Sequence, residues 1–137
     1  MTREHFEDLV GKAIDGIPQR FRKHMKNVVI VVEDRPSSEL LRQLGVPSGD
    51  TLFGLYHGTP LTERPWNFGG ALPDRITIYQ GPIEQESEDE GAVVTTIGET
   101  VIHEVGHYFG LSEEELEAIE ERYWLRRQRQ PEEKGRR

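Results

Sequence analysis

The sequence has 137 residues, no cysteine, 34% hydrophobic residues and a formal net charge of −8. This length suits one domain with a single core, and the lack of cysteine excludes a disulfide scaffold, a thiolate metal site and a cysteine nucleophile. No apolar run reaches the roughly 18 residues of a membrane-spanning helix, and the first residues lack a signal-peptide pattern, so we expect a cytoplasmic protein with no membrane partner.

The charge is distributed unevenly along the chain. Residues 84–121 contain 13 acidic residues and no lysine or arginine, whereas residues 126–137 contain six basic residues and two acidic ones. The acidic stretch is either a solvated surface or a region that attracts cations, and it argues against nucleic acid as a partner because it repels phosphate. We expect a folded domain over residues 1–126 and a disordered basic tail over residues 127–137.

In the first part of the chain, apolar residues at helical spacing predict a helix over residues 3–16, which Pro18 ends. A short helical segment over residues 20–26 follows. The β-branched run over residues 28–32 predicts a strand that is buried on both faces, because it contains no polar residue. Ser37 then begins a short helix.

The residue pattern in the middle of the chain, between residues 51 and 80, is typical of β-strands. Residues 51–63 predict two strands about a turn. Residues 75–79 alternate with period two and predict another strand, and we expect residues 74–80 to form a free sheet edge that holds an extended peptide. The acidic residues 84–90 predict an exposed connection.

Two helices complete the predicted fold. The longest helical pattern covers residues 91–109, and a second helix covers residues 112–126, with Ser112 as N-cap and Glu115 completing a capping box. The order of elements predicts an α+β fold with a small mixed β-sheet packed on the long helix.

The long helix contains the pattern H-E-x-x-H, formed by His103, Glu104 and His107. A spacing of four residues places both imidazoles on one face, where their nitrogens can reach one ion at about 2.0–2.1 Å. Glu104 lies about 100° around the helix from His103, so it can approach a bound water as a general base without binding the metal.

The residues after the second histidine extend this pattern. Gly110 can adopt the left-handed conformation that turns the chain at a helix end, so Glu113 can return as a third ligand. Two histidines and one carboxylate leave one tetrahedral position open for water, which is the arrangement of catalytic zinc.

The helical periodicity also separates the histidines from the core. Stepping about 100° per residue groups four apolar residues into one seam and turns His103 and His107 away from it, toward Thr96 and Thr100. Two buried core histidines are therefore a poor explanation of the pattern. The seam consists of Val94, Ile97, Val101 and Val105.

With these residues, the sequence resembles the small bacterial zincin-like metallopeptidases that carry an HExxHxxGxxE type of motif. The resemblance covers nearly the whole domain and includes residues 28–34, 52–64, 72–82 and 100–116. It implies a zincin-like domain that binds Zn²⁺. By position, His103 and His107 match the zinc-binding histidines, Glu104 the catalytic glutamate and Gly110 the glycine of the turn.

The third ligand departs from the family pattern. Related families usually have aspartate at the position of Glu113, and the longer side chain changes its reach. Glu114 or a water molecule is an alternative to Glu113. Longer zincin families take a glutamate ligand from a later helix, so Glu120 and Glu121 are further alternatives.

Together, the motif and the resemblance predict a zinc-dependent peptidase that hydrolyses an amide bond by metal-activated water, with Glu104 as general base and a peptide or protein as substrate. The alternatives are a zinc-stabilised module that binds a peptide or protein without turnover, and a vestigial metal site. The residue that stabilises the oxyanion stays open among five candidates. These are Tyr56, His57, Arg75, Tyr79 and Tyr108.

Overall fold

The computed structural model describes residues 1–58 and 73–129, which contain a three-stranded sheet and six α-helices. This confirms the predicted α+β fold. Within the described ranges, no helix is both long enough and apolar enough to cross a membrane. In chain order the elements are α1 (Arg3–Gly16), α2 (Gln19–Arg22), a 3₁₀ helix (Lys23–Met25), β1 (Val28–Glu33), α3 (Ser38–Gln43), β2 (Gly54–His57), β3 (Asp74–Tyr79), α4 (Gln80–Glu86), α5 (Glu90–Tyr108) and α6 (Glu113–Arg129).

The sheet has the strand order β1-β3-β2. β1 runs parallel to β3 with Val28 opposite Asp74, and β2 runs antiparallel to β3 with Gly54 opposite Ile78. The expectation that residues 74–80 form a free edge is therefore wrong, because β3 is bonded to a strand on each side. β2 and β1 are the outer strands of the described sheet.

β1 is less buried than its apolar sequence predicts. Val32 is buried, whereas Val29 is 45% exposed. The prediction of a strand buried on both faces is wrong, because β1 lies at the end of the sheet and one of its faces is open. β-branched residues also suit the surface of a half-buried strand, so the run alone does not distinguish the two cases.

The acidic segment after β3 is partly helical. α4 takes up Gln80–Glu86, and its Pro82 and Ile83 are buried in the core. The prediction of a connection over residues 84–90 is therefore wrong for residues 84–86, which are helical, although Gln85 and Glu86 are exposed as predicted. β2 occupies the first strand predicted within residues 51–63, and residues 59–72 lie outside the described ranges.

α5, which carries the H-E-x-x-H pattern, and α6 agree closely with the helices predicted from the sequence. The predicted seam of α5 is buried at every position. α6 begins with the predicted capping box, in which the Ser112 amide donates to Glu115 at 2.8 Å and the Glu115 amide donates to the Ser112 hydroxyl at 3.1 Å. α6 continues to Arg129, past the expected end at residue 126, because Arg127 donates a hydrogen bond to the Gly91 carbonyl of α5.

Two glycines of α5 let α6 approach closely. A Cβ atom on Gly98 would lie 2.1 Å from the ring of Tyr123, and one on Gly106 would lie 2.2 Å from Leu116. Leu116 and Tyr123 are fully buried, and the Tyr123 hydroxyl donates to the Val94 carbonyl at 2.9 Å. The two side chains are about two helical turns apart, as are the two glycines, so both contacts fix the register of α6 on α5.

We expect Gly98→Ala to lower the free energy of unfolding by about 1–3 kcal/mol, because the added methyl group overlaps a buried ring that has no room to move. Urea unfolding followed by far-UV circular dichroism measures this change. Gly11→Ala in α1 is the control: a Cβ there meets no atom within 4 Å, so it should gain up to about 1 kcal/mol from helix propensity. Equal effects of the two substitutions would contradict the close packing.

Candidate metal centre

The second half of α5 carries the three residues of the H-E-x-x-H pattern. The rings of His103 and His107 lie side by side, with 5.5 Å between their centroids and 32° between their planes. Both side chains are about half exposed. Because the opposite face of α5 is packed into the core, the two imidazoles are presented on an accessible face of a rigid helix.

A tight turn at the end of α5 reverses the chain. Gly110 has φ +79°, and its amide donates to the His107 carbonyl at 3.1 Å, while the Leu111 amide donates to the Gly106 carbonyl at 2.9 Å. These two bonds form a Schellman motif, which requires the left-handed conformation that glycine adopts without strain. The turn brings the start of α6, and with it Glu113, back toward the end of α5.

The two histidines face two carboxylates from α6. Nε2 of His107 lies 2.9 Å from Oε2 of Glu113, and Nε2 of His103 is in an ion-pair contact with Oε2 of Glu120. Glu113 is 73% exposed, whereas Glu120 is 23% exposed. The structure therefore forms two histidine–carboxylate pairs, one of His107 with the predicted ligand Glu113 and one of His103 with the alternative ligand Glu120.

Glu120 is the more constrained of the two carboxylates. Its Oε2 atom is buried and has no hydrogen-bond partner among the described residues, although it is in ion-pair contact with Nε2 of His103. Burial raises the pKa of Glu120 above its ordinary value, and the neighbouring His103 opposes this rise. Burial likewise raises the pKa of Glu99, one turn before His103. A buried oxygen of this kind commonly marks the position of an ion or a proton.

An open cavity of about 440 Å³ adjoins the His103–Glu120 pair. Its walls come from the segment before and at the start of β2, from the polar face of α5 and from α6. The predicted polar stripe of α5 is therefore the face that borders this open cavity. The lining residues are Thr51, Leu52, Phe53, Gly54, Thr96, Glu99, Thr100, His103, Glu104 and Glu120.

β2 holds the side chain of Glu104. The Tyr56 amide donates to Oε1 of Glu104 at 3.0 Å, so one carboxylate oxygen is bound to the backbone of the outer strand. Gly54 makes this approach possible, since a Cβ there would lie 2.8 Å from the Thr100 methyl group and 2.9 Å from the Thr77 carbonyl oxygen. The sequence does not reveal this contact, because Tyr56 and Glu104 are 48 positions apart.

Aromatic side chains form one rim of the site. The ring of Tyr108 stacks on that of Tyr56, with 4.0 Å between centroids, and Phe109 meets Tyr56 edge-on at 6.3 Å. Tyr108 and Phe109 are large, half-exposed aromatic residues beside the second histidine. Such residues offer apolar contact area to a ligand at a polar site.

The structure separates the five candidates for oxyanion stabilisation. Tyr79 is a buried core residue, and the Tyr56 hydroxyl donates to Asp74 at 2.7 Å. Burial and the charge of Arg75 lower the pKa of His57 below its ordinary value, which favours its neutral form. Arg75 is exposed on β3, and Tyr108, which is 50% exposed, directly follows His107 in the sequence.

As the side chains stand, no set of three or more His, Asp or Glu residues within residues 1–58 and 73–129 is grouped closely enough to hold a metal ion. The four donors are arranged as two pairs. The types of donor, imidazole nitrogen and carboxylate oxygen, are those that zinc takes in proteins without cysteine ligands.

Comparison with known proteins identifies the family. The sequence matches the zincin-like metallopeptidases over residues 25–123, a range that includes the sheet, α5 and most of α6. The chain belongs to this family. A solved structure of a conserved hypothetical protein from Thermo thermophilus is similar, with a TM-score of 0.51 and 21% identity over 85% of this chain and 98% of that chain. At this identity the likeness shows a shared fold alone. No curated protein matches the sequence.

The capping box that starts α6 has a testable pH dependence. Hydrogen bonds from the Ser112 backbone and hydroxyl lower the pKa of Glu115 below its ordinary value of 4.5. A carboxylate with a depressed pKa stabilises the folded state above its ordinary pKa, and this contribution is lost as the pH falls through the folded-state value. We therefore expect Glu115→Gln to reduce the free energy of unfolding at neutral pH and to have a smaller effect below about pH 4.

Urea unfolding of the wild type and Glu115→Gln at several pH values measures this difference. Glu114→Gln is the matched control, because it removes the same charge from the same helical turn without touching the capping box. The same pH dependence in both variants would contradict a specific effect of the capping bond.

Proposed function

We propose that the protein is a zinc-dependent peptidase in which His103, His107 and Glu113 bind the metal and Glu104 acts as general base. Membership of the zincin-like metallopeptidase family supports this interpretation. The observation that carries it is the arrangement of Glu104, whose carboxylate is held by the Tyr56 amide at the wall of the cavity that His103 also lines.

The residues fit a zinc ion by their chemistry. Each imidazole Nε2 faces a carboxylate oxygen, and the Oε2 atom of Glu120 is buried without a hydrogen-bond partner in the described residues. Because a catalytic zinc ion needs one open position for water, one carboxylate of α6 completes the ligand set: Glu113 on the His107 side, with Glu120 on the His103 side as its alternative. When bound, zinc lowers the pKa of a water molecule toward about 7 and polarises a carbonyl oxygen.

Glu104 performs the proton transfers in this mechanism. Its carboxylate takes a proton from the attacking water and returns it to the leaving amine. The hydrogen bond from the Tyr56 amide fixes one oxygen of Glu104, so the carboxylate does not have to be ordered in each turnover.

The edge of β2 is the proposed binding surface for an extended peptide. The Tyr79 amide of β3 donates to the Phe53 carbonyl, so odd-numbered residues of this segment direct their backbone groups toward β3. Gly54 and Tyr56 therefore direct theirs to the outer side, where the Tyr56 amide meets Glu104. A peptide added along this side would place its backbone beside the general base.

The role of Glu104 predicts a separation of catalysis from metal binding. Glu104→Gln is expected to lower the hydrolysis of an unstructured peptide library by at least about a hundredfold and to keep the zinc content of the wild type. Mass spectrometry of the digest and elemental analysis of the purified protein measure the two properties. Glu86→Gln on the exposed end of α4 is the control with the same loss of charge.

Hydrolysis that survives in Glu104→Gln would exclude the proposed mechanism. Stoichiometric zinc with no hydrolysis by the wild-type protein, across a broad library, would favour the alternative of a zinc-stabilised binding module without turnover.

The two carboxylates of α6 predict different losses of zinc affinity. Because one carboxylate completes the ligand set, we expect Glu113→Gln to weaken zinc binding by at least about tenfold and by more than Glu120→Gln. Competition with a chromophoric chelator measures both dissociation constants. Glu86→Gln, on the exposed end of α4, is the control. A larger loss of affinity in Glu120→Gln than in Glu113→Gln would replace Glu113 by Glu120 as the third ligand.

A further inference from the structure

A second cavity, of about 300 Å³, lies between the segment around α2 and the outer face of α6. It is separate from the cavity beside His103, since the two share no lining residue. Its floor is apolar and its rim is cationic, and we call it the basic groove. The floor contains Phe21, Leu111 and Ile119, and the rim contains Arg20, Lys23 and Arg122.

The charge of the basic groove is opposite to that of the whole molecule. Residues 19–26 contain four lysine or arginine residues and no acidic residue, although the chain has a net charge of −8. Within the described ranges, Arg20, Lys23 and Arg122 have no ion-pair partner. These cations are therefore available to an anionic ligand.

One acidic residue, Glu115, also lines the basic groove. Glu115 accepts a hydrogen bond from the Ser112 amide in the capping box of α6. A shallower depression, lined by Gln19, Arg22, Lys23 and Lys26, adjoins the groove and extends the cationic surface. The groove and this depression share Lys23, so the positive surface is continuous.

Aromatic contacts connect the basic groove to the candidate metal centre. The ring of His24, a lining residue of the groove, lies 5.3 Å from that of Phe109. Phe109 in turn contacts Tyr56, whose amide holds Glu104. A polypeptide bound along the outer side of β2 can therefore continue over Phe109 and enter the basic groove along the same surface of the domain.

We propose that the basic groove binds an acidic segment of the polypeptide substrate, at a distance from the bond that is cleaved. This inference rests on the proposed peptidase function. The apolar floor accommodates side chains between the acidic residues, and the cations on the rim pair with those residues. Such a site selects substrates by charge and raises their local concentration at the catalytic residues.

The surrounding charges favour a polypeptide over a nucleic acid. The stretch from residue 84 to residue 121 has 13 acidic residues and no basic one. A nucleic acid carries a phosphate at every unit and would be repelled by this acidic stretch. A polypeptide can place its acidic residues in the groove and neutral or basic residues beside the acidic metal centre.

Binding of a labelled peptide to the full-length protein tests the proposal. The probe is a fluorescein-labelled peptide of alternating glutamate and leucine, and its lysine–leucine counterpart is the comparison. We expect the glutamate peptide to bind more tightly, with an affinity that falls as salt is added. Lys23→Glu should weaken its binding by about fivefold or more, as measured by fluorescence anisotropy.

Lys12→Glu is the matched control, because it makes the same change of net charge on an exposed face of α1 that does not line the groove. Equal losses of affinity in Lys12→Glu and Lys23→Glu would overturn the proposal in favour of a general charge effect. Tighter binding of an oligothymidylate, with the same sensitivity to Lys23→Glu, would overturn the assignment to a polypeptide.

The hydrolysis of acidic and neutral peptides separates this proposal from the proposed function. For a cleaved acidic peptide, Lys23→Glu should raise KM and leave kcat unchanged, and it should leave the cleavage of a neutral peptide unaltered. Binding that depends on Lys23, with no Glu104-dependent hydrolysis of any peptide, would support the groove and contradict the peptidase. Glu104-dependent hydrolysis with no effect of Lys23→Glu would contradict the groove alone.

Discussion

The close contact between α5 and α6 determines where the proposed metal-binding groups lie. Tyr123 packs against Gly98 and Leu116 against Gly106, so the two helices cannot slide or separate without losing a fully buried side chain. His103 lies between the two glycines on α5. Glu120 lies between the two large side chains on α6, and the packing places it against the histidine. An apolar interaction thus sets the distance between a nitrogen and an oxygen donor.

The sheet contributes the other half of the site through one backbone group. β2 reaches α5 because Gly54 has no side chain to keep the strand away from Thr100. The Tyr56 amide can then hold the carboxylate of Glu104. The proposed metal ligands depend on contacts between helices, whereas the proposed base depends on a contact between helix and sheet. Glu104 therefore lies next to the histidines while its carboxylate is held by a backbone amide, and the histidines face Glu113 and Glu120 instead.

The parts of the site that the sequence predicts are those set by local geometry. The placement of His103 and His107 on one face, the turn at Gly110 and the capping box of Ser112 follow from helical spacing and turn chemistry, over at most a few residues. The central position of β3 and the contact of Glu120 with His103 depend on tertiary packing between distant segments. No periodicity in one sequence reports such contacts, so the sequence places residues 74–80 at an edge and offers Glu120 only as an alternative ligand.

The carboxylates in and around the site favour the binding of a cation. Glu120 is held in a partly buried position where its charge is costly, and Glu99 on the same side adds a second carboxylate with a raised pKa. The proposed zinc ion would offset both costs, which would link metal binding to the stability of the α5–α6 contact. In the proposed function, the same negative charge would repel an acidic substrate from the metal. The basic groove, which connects to the site through the contacts His24–Phe109 and Phe109–Tyr56, is proposed to hold such a substrate while only its neutral or basic part approaches the carboxylates.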